Sequence, residues 1–341
     1  MPYITPSALD TIVVDFTSHC NSMCGNCSRN IGGVEVNPHM PLGHMDLKTW
    51  KNLFTTSVVD NVREVIFNGS YGDPLFNPNL IPALEHLLAI TSTAPPVVTI
   101  HTNAGLGTEW LRLAKTLSKF PYPSHVVFSI DGLEDTNHLY RRGVIWDKIM
   151  TNAKTFIGAG GLARWRMLVF EHNAHQLEEC KQLAYDMGFQ KFDINGGYTF
   201  SAINSIADNA IEKFKANKKD KAREIKYDSK YRDNGERIKI IKDFSKTTIS
   251  CKWKNKRKVQ ISHTGEVLSC CYLLSERWPK NPDNPYSQDK ITWPNINDRS
   301  LEDILKGEEL MYPSENRFKI CEVTCGEMYR SSNMCKIRWS V

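Results

Sequence analysis

No apolar run in this 341-residue chain approaches the ~20 consecutive residues that a membrane span requires. The start, Met1-Pro2-Tyr3-Ile4-Thr5, lacks a basic region followed by an apolar core, so no signal peptide is expected. Ten cysteines without a secretory signal point away from a disulfide framework and towards metal or redox use in a reducing compartment, the cytoplasm. Metal-ligand spacing is missing among the histidines. His19, His39, His44, His101, His172 and His263 are scattered, and surface or supporting roles are expected for them. What remains is ordinary globular composition, 41% hydrophobic and 24% charged, with room for one large unit and a smaller one.

The net charge of +5 is unevenly placed. Residues 211–258 hold 18 Lys and Arg against 7 Asp and Glu, so the rest of the chain is mildly acidic. Such a block is a candidate surface for an anionic partner such as RNA, and its plainer reading is a solvated connector.

Six strand-like runs alternate with helix-like stretches up to about residue 215. The runs are Thr11–Thr17, Arg63–Gly69, Val97–Asn103, Ser124–Asp131, Arg164–Phe170 and Lys191–Asn195. They are short and rich in Val, Ile and Phe, as strands buried on both faces should be. Asp46, Thr108 and Asn173 stand where helix caps are needed, and Gly188 where a helix should stop. Cys180 falls on an apolar helix face and reads as core. The alternation implies a parallel sheet with right-handed crossovers, whose chemistry gathers at the C-terminal strand ends.

Just past the first run comes Cys20-Asn21-Ser22-Met23-Cys24-Gly25-Asn26-Cys27. Three thiolates at C-x3-C-x2-C spacing can hold three irons of a cubane and leave the fourth open to chelate a ligand. A structural zinc site closes with four ligands, and ferredoxin runs supply a fourth cysteine. A zinc knot or three buried thiols is the alternative. The stretch resembles the signature of the radical S-adenosylmethionine (SAM) enzymes. That resemblance implies a SAM-binding [4Fe–4S] cluster, cleavage of SAM to methionine and a 5′-deoxyadenosyl radical, and a flavodoxin or ferredoxin as electron donor. It also sharpens the architecture to a partial (β/α)6 TIM-like barrel. The residue before the third cysteine, usually aromatic in the family and near the adenine, is Asn26 here.

Two more loops carry the resemblance. Asn68-Gly69-Ser70-Tyr71-Gly72-Asp73-Pro74 is similar to the family's Gly-Gly-Glu-Pro element, which binds the SAM amino group. Here Asp73 replaces the Glu and an insertion separates the glycines. Ser129-Ile130-Asp131-Gly132 with Tyr140-Arg141 resembles the Ser-x-Asp-Gly…Tyr-Arg pattern. It implies Asp131 on the ribose hydroxyls, and Arg141 with Ser129 on the methionyl carboxylate. Asn103, Arg166 and Asn195 are further candidates to face the barrel mouth, Asn103 as a SAM contact.

From about residue 205 the pattern changes, and cysteines return at 251, 270, 271, 321, 325 and 335. Lys258–Leu268 reads as a hairpin turning at Thr264-Gly265, which would bring Cys251 and Cys270 together. Cys321 and Cys325 could complete a four-thiolate site. A four-cysteine zinc ribbon is the alternative. This half resembles the twitch domain, the short form of the SPASM domain. The resemblance implies one auxiliary [4Fe–4S] cluster on Cys251, Cys270, Cys321 and Cys325, with Cys335 able to replace Cys321. Cys271 and Cys335 are spare thiols and candidate hydrogen-atom donors. The expected organisation is a barrel over 1–205, a basic helical connector over 206–250, and a small α+β twitch-like unit over 251–341. The expected chemistry is hydrogen abstraction from a peptide or protein, giving oxidation, crosslinking or epimerisation. Dehydrogenation of a small sugar or aminocyclitol, tRNA modification, and a zinc or iron–sulfur protein that binds nucleic acid without catalysis are the alternatives.

Overall fold

Thr11–Asp15 (β1) is buried at every position, because it is hydrogen-bonded on both edges and covered on both faces. The structure is a computed structural model, and it describes residues 3–107, 109–170, 172–196, 251–275, 277–278, 292–307, 309–310 and 321. The expected connector over 206–250, Cys325 and Cys335 lie outside the described residues.

All six expected strands form, and all run parallel. After β1 and a small hairpin of β2 (Asn30–Ile31) and β3 (Glu35–Val36) come β4 (Glu64–Asn68), β5 (Val97–Thr102), β6 (His125–Ser129), β7 (Ala163–Val169) and β8 (Lys191–Gly196). Each pairs with its sequence neighbour in the order β1-β4-β5-β6-β7-β8. Helices α1 (Leu47–Leu53) and α2 (Thr56–Asn61), then α3 (Leu80–Ile90), α4 (Trp110–Leu117), α5 (Glu134–Tyr140), α6 (Trp146–Gly158) and α7 (Leu177–Asp186) occupy the crossovers. This is the parallel sheet expected from the alternation, in the partial-barrel arrangement that the resemblance implies.

The core lies between the sheet and this helical layer. Phe16 meets Trp50 of α1 at 5.3 Å and Phe67 of β4 at 5.2 Å, both edge-on. Such pairing is favoured by the ring quadrupole. Trp50 Nε1 donates to Ala83 O at 3.1 Å, so its one polar atom is satisfied in the core. Asp46 caps α1 by accepting from Thr49 N at 2.7 Å. Gly188 ends α7 at a φ of 89°, and Cys180 is fully buried on its inner face. Two caps differ from expectation. Thr108 lies outside the described residues, and α4 follows Glu109 in a left-handed conformation. Asn173 does not cap α7. It accepts from Phe170 N at 2.7 Å and donates to Asp131 O and Leu168 O at 2.9 Å each. A short polar side chain between two strand ends finds partners there before it can reach a helix.

The expected hairpin also forms, with β9 (Lys258–Ile261), a turn at Gly265 and β10 (Val267–Leu268). It is part of the barrel sheet. β9 pairs parallel with β1 on the edge opposite β4, giving the order β10-β9-β1-β4. Among the described residues no helix is long and apolar enough to cross a membrane.

Replacing Phe16 with Ala removes a fully buried ring from the junction of β1, β4 and α1. A loss of about 3–5 kcal/mol is expected, read as a lower urea midpoint.

Candidate active site and cluster-binding loops

The cysteine loop leaves the C-terminal end of β1, and neighbouring strand ends brace it. Its thiols accept hydrogen bonds from nearby N–H groups. Cys20 Sγ takes Ser22 N at 3.3 Å and Asn103 Nδ2 at 3.4 Å. Cys27 Sγ takes Arg29 N at 3.4 Å. Cys24 Sγ lies 3.0 Å from Ser22 Oγ. Burial pushes the Cys20 thiol up to about 12, with Asp73, Cys24 and Cys27 adding to the shift. Thiols that oppose one another's ionisation form a donor set suited to a cationic centre. Among the described residues, no three His, Cys, Asp or Glu side chains are gathered closely enough to hold a single metal ion. A cubane does not ask for that, since its thiolates bind separate irons.

The β4 loop docks directly on this loop. Asp73 N donates to His19 O at 2.9 Å. A Cβ on Gly72 would stand 2.3 Å from Thr17 O and 2.6 Å from His19 O, so only glycine permits the approach. Asn68 donates to Ser70 Oγ, and Gly69 folds back on Gly72. The Asp73 carboxylate is buried and takes Thr102 Oγ1 at 2.8 Å, Asn103 N at 2.7 Å and Leu75 N at 3.1 Å. It positions Asn103, which in turn holds Cys20 and donates to Asn21 Oδ1 at 2.9 Å. Asp73 and Asn103 are thus braces for the cysteine loop. Tyr71 was expected at the SAM site, but its side chain is fully buried and its hydroxyl donates to Leu274 O in the C-terminal unit. Its ring also meets Trp278 edge-on at 5.1 Å.

Asp131 differs from expectation too. It is fully buried, with one carboxylate oxygen on Arg141 Nε at 2.6 Å and the other on Leu168 N at 2.7 Å. No exposed oxygen is left for a ribose, and its placement is that of an anchor for Arg141. Burial works against charge on Arg141, but Asp131 and Cys24 more than offset it and hold the guanidinium protonated. Arg141 Nη1 reaches to 3.9 Å from Cys24 Sγ. Ser129 ends β6, half-buried, and Asn26 lies half-buried in the cysteine loop.

The second set of thiols also comes together. Cys251, Cys270 and Cys321 are all buried. Burial raises the Cys270 thiol well above its usual value, and Cys271, Cys321 and Cys251 add to the shift. Cys251 caps the short helix Lys252–Asn255 by accepting from Lys254 N at 3.4 Å. Cys271 opens the helix Cys271–Ser275 beside them, half-buried.

Several site residues escaped sequence reasoning. Tyr3 is 2% exposed, with its hydroxyl 3.7 Å from Cys251 Sγ and donating to Ser269 O at 2.8 Å. Nothing in the sequence couples residues 248 apart. Asp15 ends β1 and accepts from Ser70 N at 3.1 Å, which fastens the β4 loop from below. A carboxylate ending an apolar run was the available signal. Asn30 Nδ2 donates to Cys24 O at 3.2 Å, and Arg29 Nε to Ser18 O at 2.9 Å.

A model of the Radical SAM superfamily matches residues 14–184, half of the chain. This chain belongs to the radical SAM superfamily. A second model, of an iron-sulfur cluster-binding domain (SPASM), matches residues 251–334 of this radical SAM protein. Its cofactors are accordingly SAM and [4Fe–4S] clusters. No curated protein matches the chain. Among solved structures, Streptococcus suis SuiB bound to S-adenosylmethionine is similar, with a TM-score of 0.55 and 18% identity over 88% of this chain and 66% of SuiB. SuiB bound to precursor peptide SuiA gives a TM-score of 0.55 and 19% identity over 88% of this chain and 65% of that one. The anSMEcpe structure with bound AdoMet and Kp18Cys peptide gives 0.52 and 14%, over 88% and 81%. This chain thus spans just under two thirds of the SuiB length. At these identities the likeness is one of fold.

Replacing Gly72 with Ala should push the β4 loop off the cysteine loop. The expected outcome is loss of the first cluster with the second retained, read as a fall in iron content by about four per chain.

Proposed function

We propose that this radical SAM protein modifies a peptide or protein by hydrogen abstraction at the inner mouth of its barrel. The observation that carries the reading is the bracing of the cysteine loop by the β4 loop, Asn103 and the Asp131-anchored Arg141, all at the C-terminal ends of parallel strands. With SAM and its cluster bound, the site would supply the reductive SAM cleavage and hydrogen abstraction of the family. Cys20, Cys24 and Cys27 would hold that cluster. Arg141 keeps a charged fork beside Cys24, suited to a carboxylate. Ser129 adds a hydroxyl from the end of β6, and the backbone over 69–72 suits an ammonium group. Asn26, the residue before the third cysteine, would be the neighbour of the adenine.

Cys251, Cys270, Cys321 and Cys325 would hold one auxiliary cluster, with Cys335 able to replace Cys321. Cys271 is a candidate donor of a hydrogen atom to a substrate radical. A flavodoxin or ferredoxin would supply electrons. A peptide is the favoured substrate because the similar folds SuiB and anSMEcpe were solved with peptides bound. The modification would be an oxidation, crosslink or epimerisation.

Anaerobic reconstitution followed by iron counting and addition of dithionite and SAM tests the chemistry. About eight irons per chain with release of 5′-deoxyadenosine is the expected result. A Cys24→Ala variant should release none while keeping about four irons. One or two zinc atoms with no deoxyadenosine from the wild-type protein would sink the reading.

A further inference from the structure

The β9–β10 hairpin carries one thiol at each end. Cys251 caps the short helix before β9, and Cys270 follows β10. A tyrosine from the N-terminal segment stands between them. Tyr3 is packed in the core and only 2% exposed. Its hydroxyl lies 3.7 Å from Cys251 Sγ and donates at 2.8 Å to the carbonyl of Ser269, the residue before Cys270. Ser269 is itself fastened, its Oγ donating to Leu310 O at 2.9 Å. The Tyr3 hydroxyl therefore spans the two ends of the hairpin. It also lies within the field of all three buried thiols. Burial pushes the phenol up, and Cys251, Cys270 and Cys321 add to the shift.

Packing alone does not ask for a hydroxyl here. A phenylalanine would fill the same core space, and burying a polar group costs free energy unless it is hydrogen-bonded. A phenol keeps its proton at neutral pH, so it is a donor. It has one proton and two acceptors in reach. While Cys251 is a thiol, its S–H can point at the phenol oxygen and the phenol proton at Ser269 O. A sulfur bound to iron has lost that proton. It is then an acceptor only, and a charged one, which makes it a stronger partner than a neutral carbonyl. Lys254 N already donates to the same sulfur at 3.4 Å. Tyr3 would add a second donor away from water, where a hydrogen bond is electrostatically stronger. Donors to the sulfurs of a cluster favour its more negative, reduced state and so raise its potential.

We propose that Tyr3 is a positioning residue for the auxiliary cluster, whose hydroxyl donates to the Cys251 sulfur when that sulfur binds iron and thereby raises the cluster's reduction potential. This rests on the reading of Cys251, Cys270 and Cys321 as cluster ligands. It gives the N-terminal segment a part in the chemistry of the C-terminal unit, 248 residues away in sequence. A cluster tuned upward is the better electron acceptor, so the hydroxyl biases the second site towards taking an electron rather than giving one.

The test uses the full-length Cys24→Ala protein, which keeps the second cluster alone, with and without Tyr3→Phe. Both proteins are reconstituted anaerobically, counted for iron and titrated with dithionite at one pH, with the reduced cluster followed by electron paramagnetic resonance. Both should hold about four irons. At the potential where the protein with Tyr3 is half reduced, the ratio of reduced to oxidised cluster should fall about threefold or more in Tyr3→Phe. A proton coupled to the reduced cluster and exchangeable in D2O should be present with Tyr3 and missing from Tyr3→Phe. Either an unmoved ratio or an unchanged set of couplings overturns the proposal. Loss of the irons from Tyr3→Phe would assign the hydroxyl to assembly and overturn it equally. Zinc, or no metal, in the Cys24→Ala protein itself would fail the reading of an auxiliary cluster and the proposal with it, a result distinct from four irons at an unmoved potential.

Discussion

The double pairing of β1 is the constraint on which the rest of the structure depends. Its five residues are buried without exception, with β4 hydrogen-bonded along one edge and β9 along the other. Parallel pairing on both edges leaves a strand no freedom to slip, because a one-residue shift would turn Val13 and Asp15 into the helical layer and Val14 inward. The cysteine loop therefore emerges at a fixed height above the sheet. The β4 loop emerges beside it, and the hairpin leading to Cys270 runs along its other flank. Both thiol groups take their positions from this one strand.

Around that strand, polar residues work mainly as braces. Asp73, Asn103, Asp131 and Asp15 all sit near the cysteine loop, and each is buried and engaged with backbone or with another side chain. Buried carboxylates in such number are expensive to desolvate and persist where they fix geometry that packing alone leaves loose. Arg141 illustrates the arrangement. Its Asp131 partner keeps it charged and aimed, so that its remaining N–H groups stand ready near Cys24. The two halves of the chain are also tied through this layer. Tyr71 reaches from the β4 loop to Leu274, and Tyr3 reaches from the N-terminal segment to Ser269 and Cys251. The β4 loop and the C-terminal unit are thus joined by a direct hydrogen bond.

Much of this was legible from residue order. The six strands, the cap at Asp46, the stop at Gly188, the hairpin turn at Gly265 and the buried Cys180 all follow from local pattern, and all are found. The C-x3-C-x2-C loop was legible because its chemistry is contiguous. Residue type alone was misleading where competition for partners decides a role. Asp131 has the right chemistry for a ribose, yet Arg141 and Leu168 N reach it first. Tyr71 lies in a loop whose backbone faces the site, yet its side chain points the other way. Asn173 has cap chemistry, yet two strand-end carbonyls claim it.

By itself, the sequence determined the alternating parallel sheet, the three-cysteine loop and the return of cysteines after a charged stretch, because periodicity and short spacings are local properties of the chain. Only the tertiary structure decided that β9 completes the sheet beside β1, that Tyr3 lies against Cys251, and that Tyr71 reaches from the β4 loop to Leu274. These are contacts between segments far apart in the chain. Their register is set by which apolar faces must be buried together, and no local spacing encodes that.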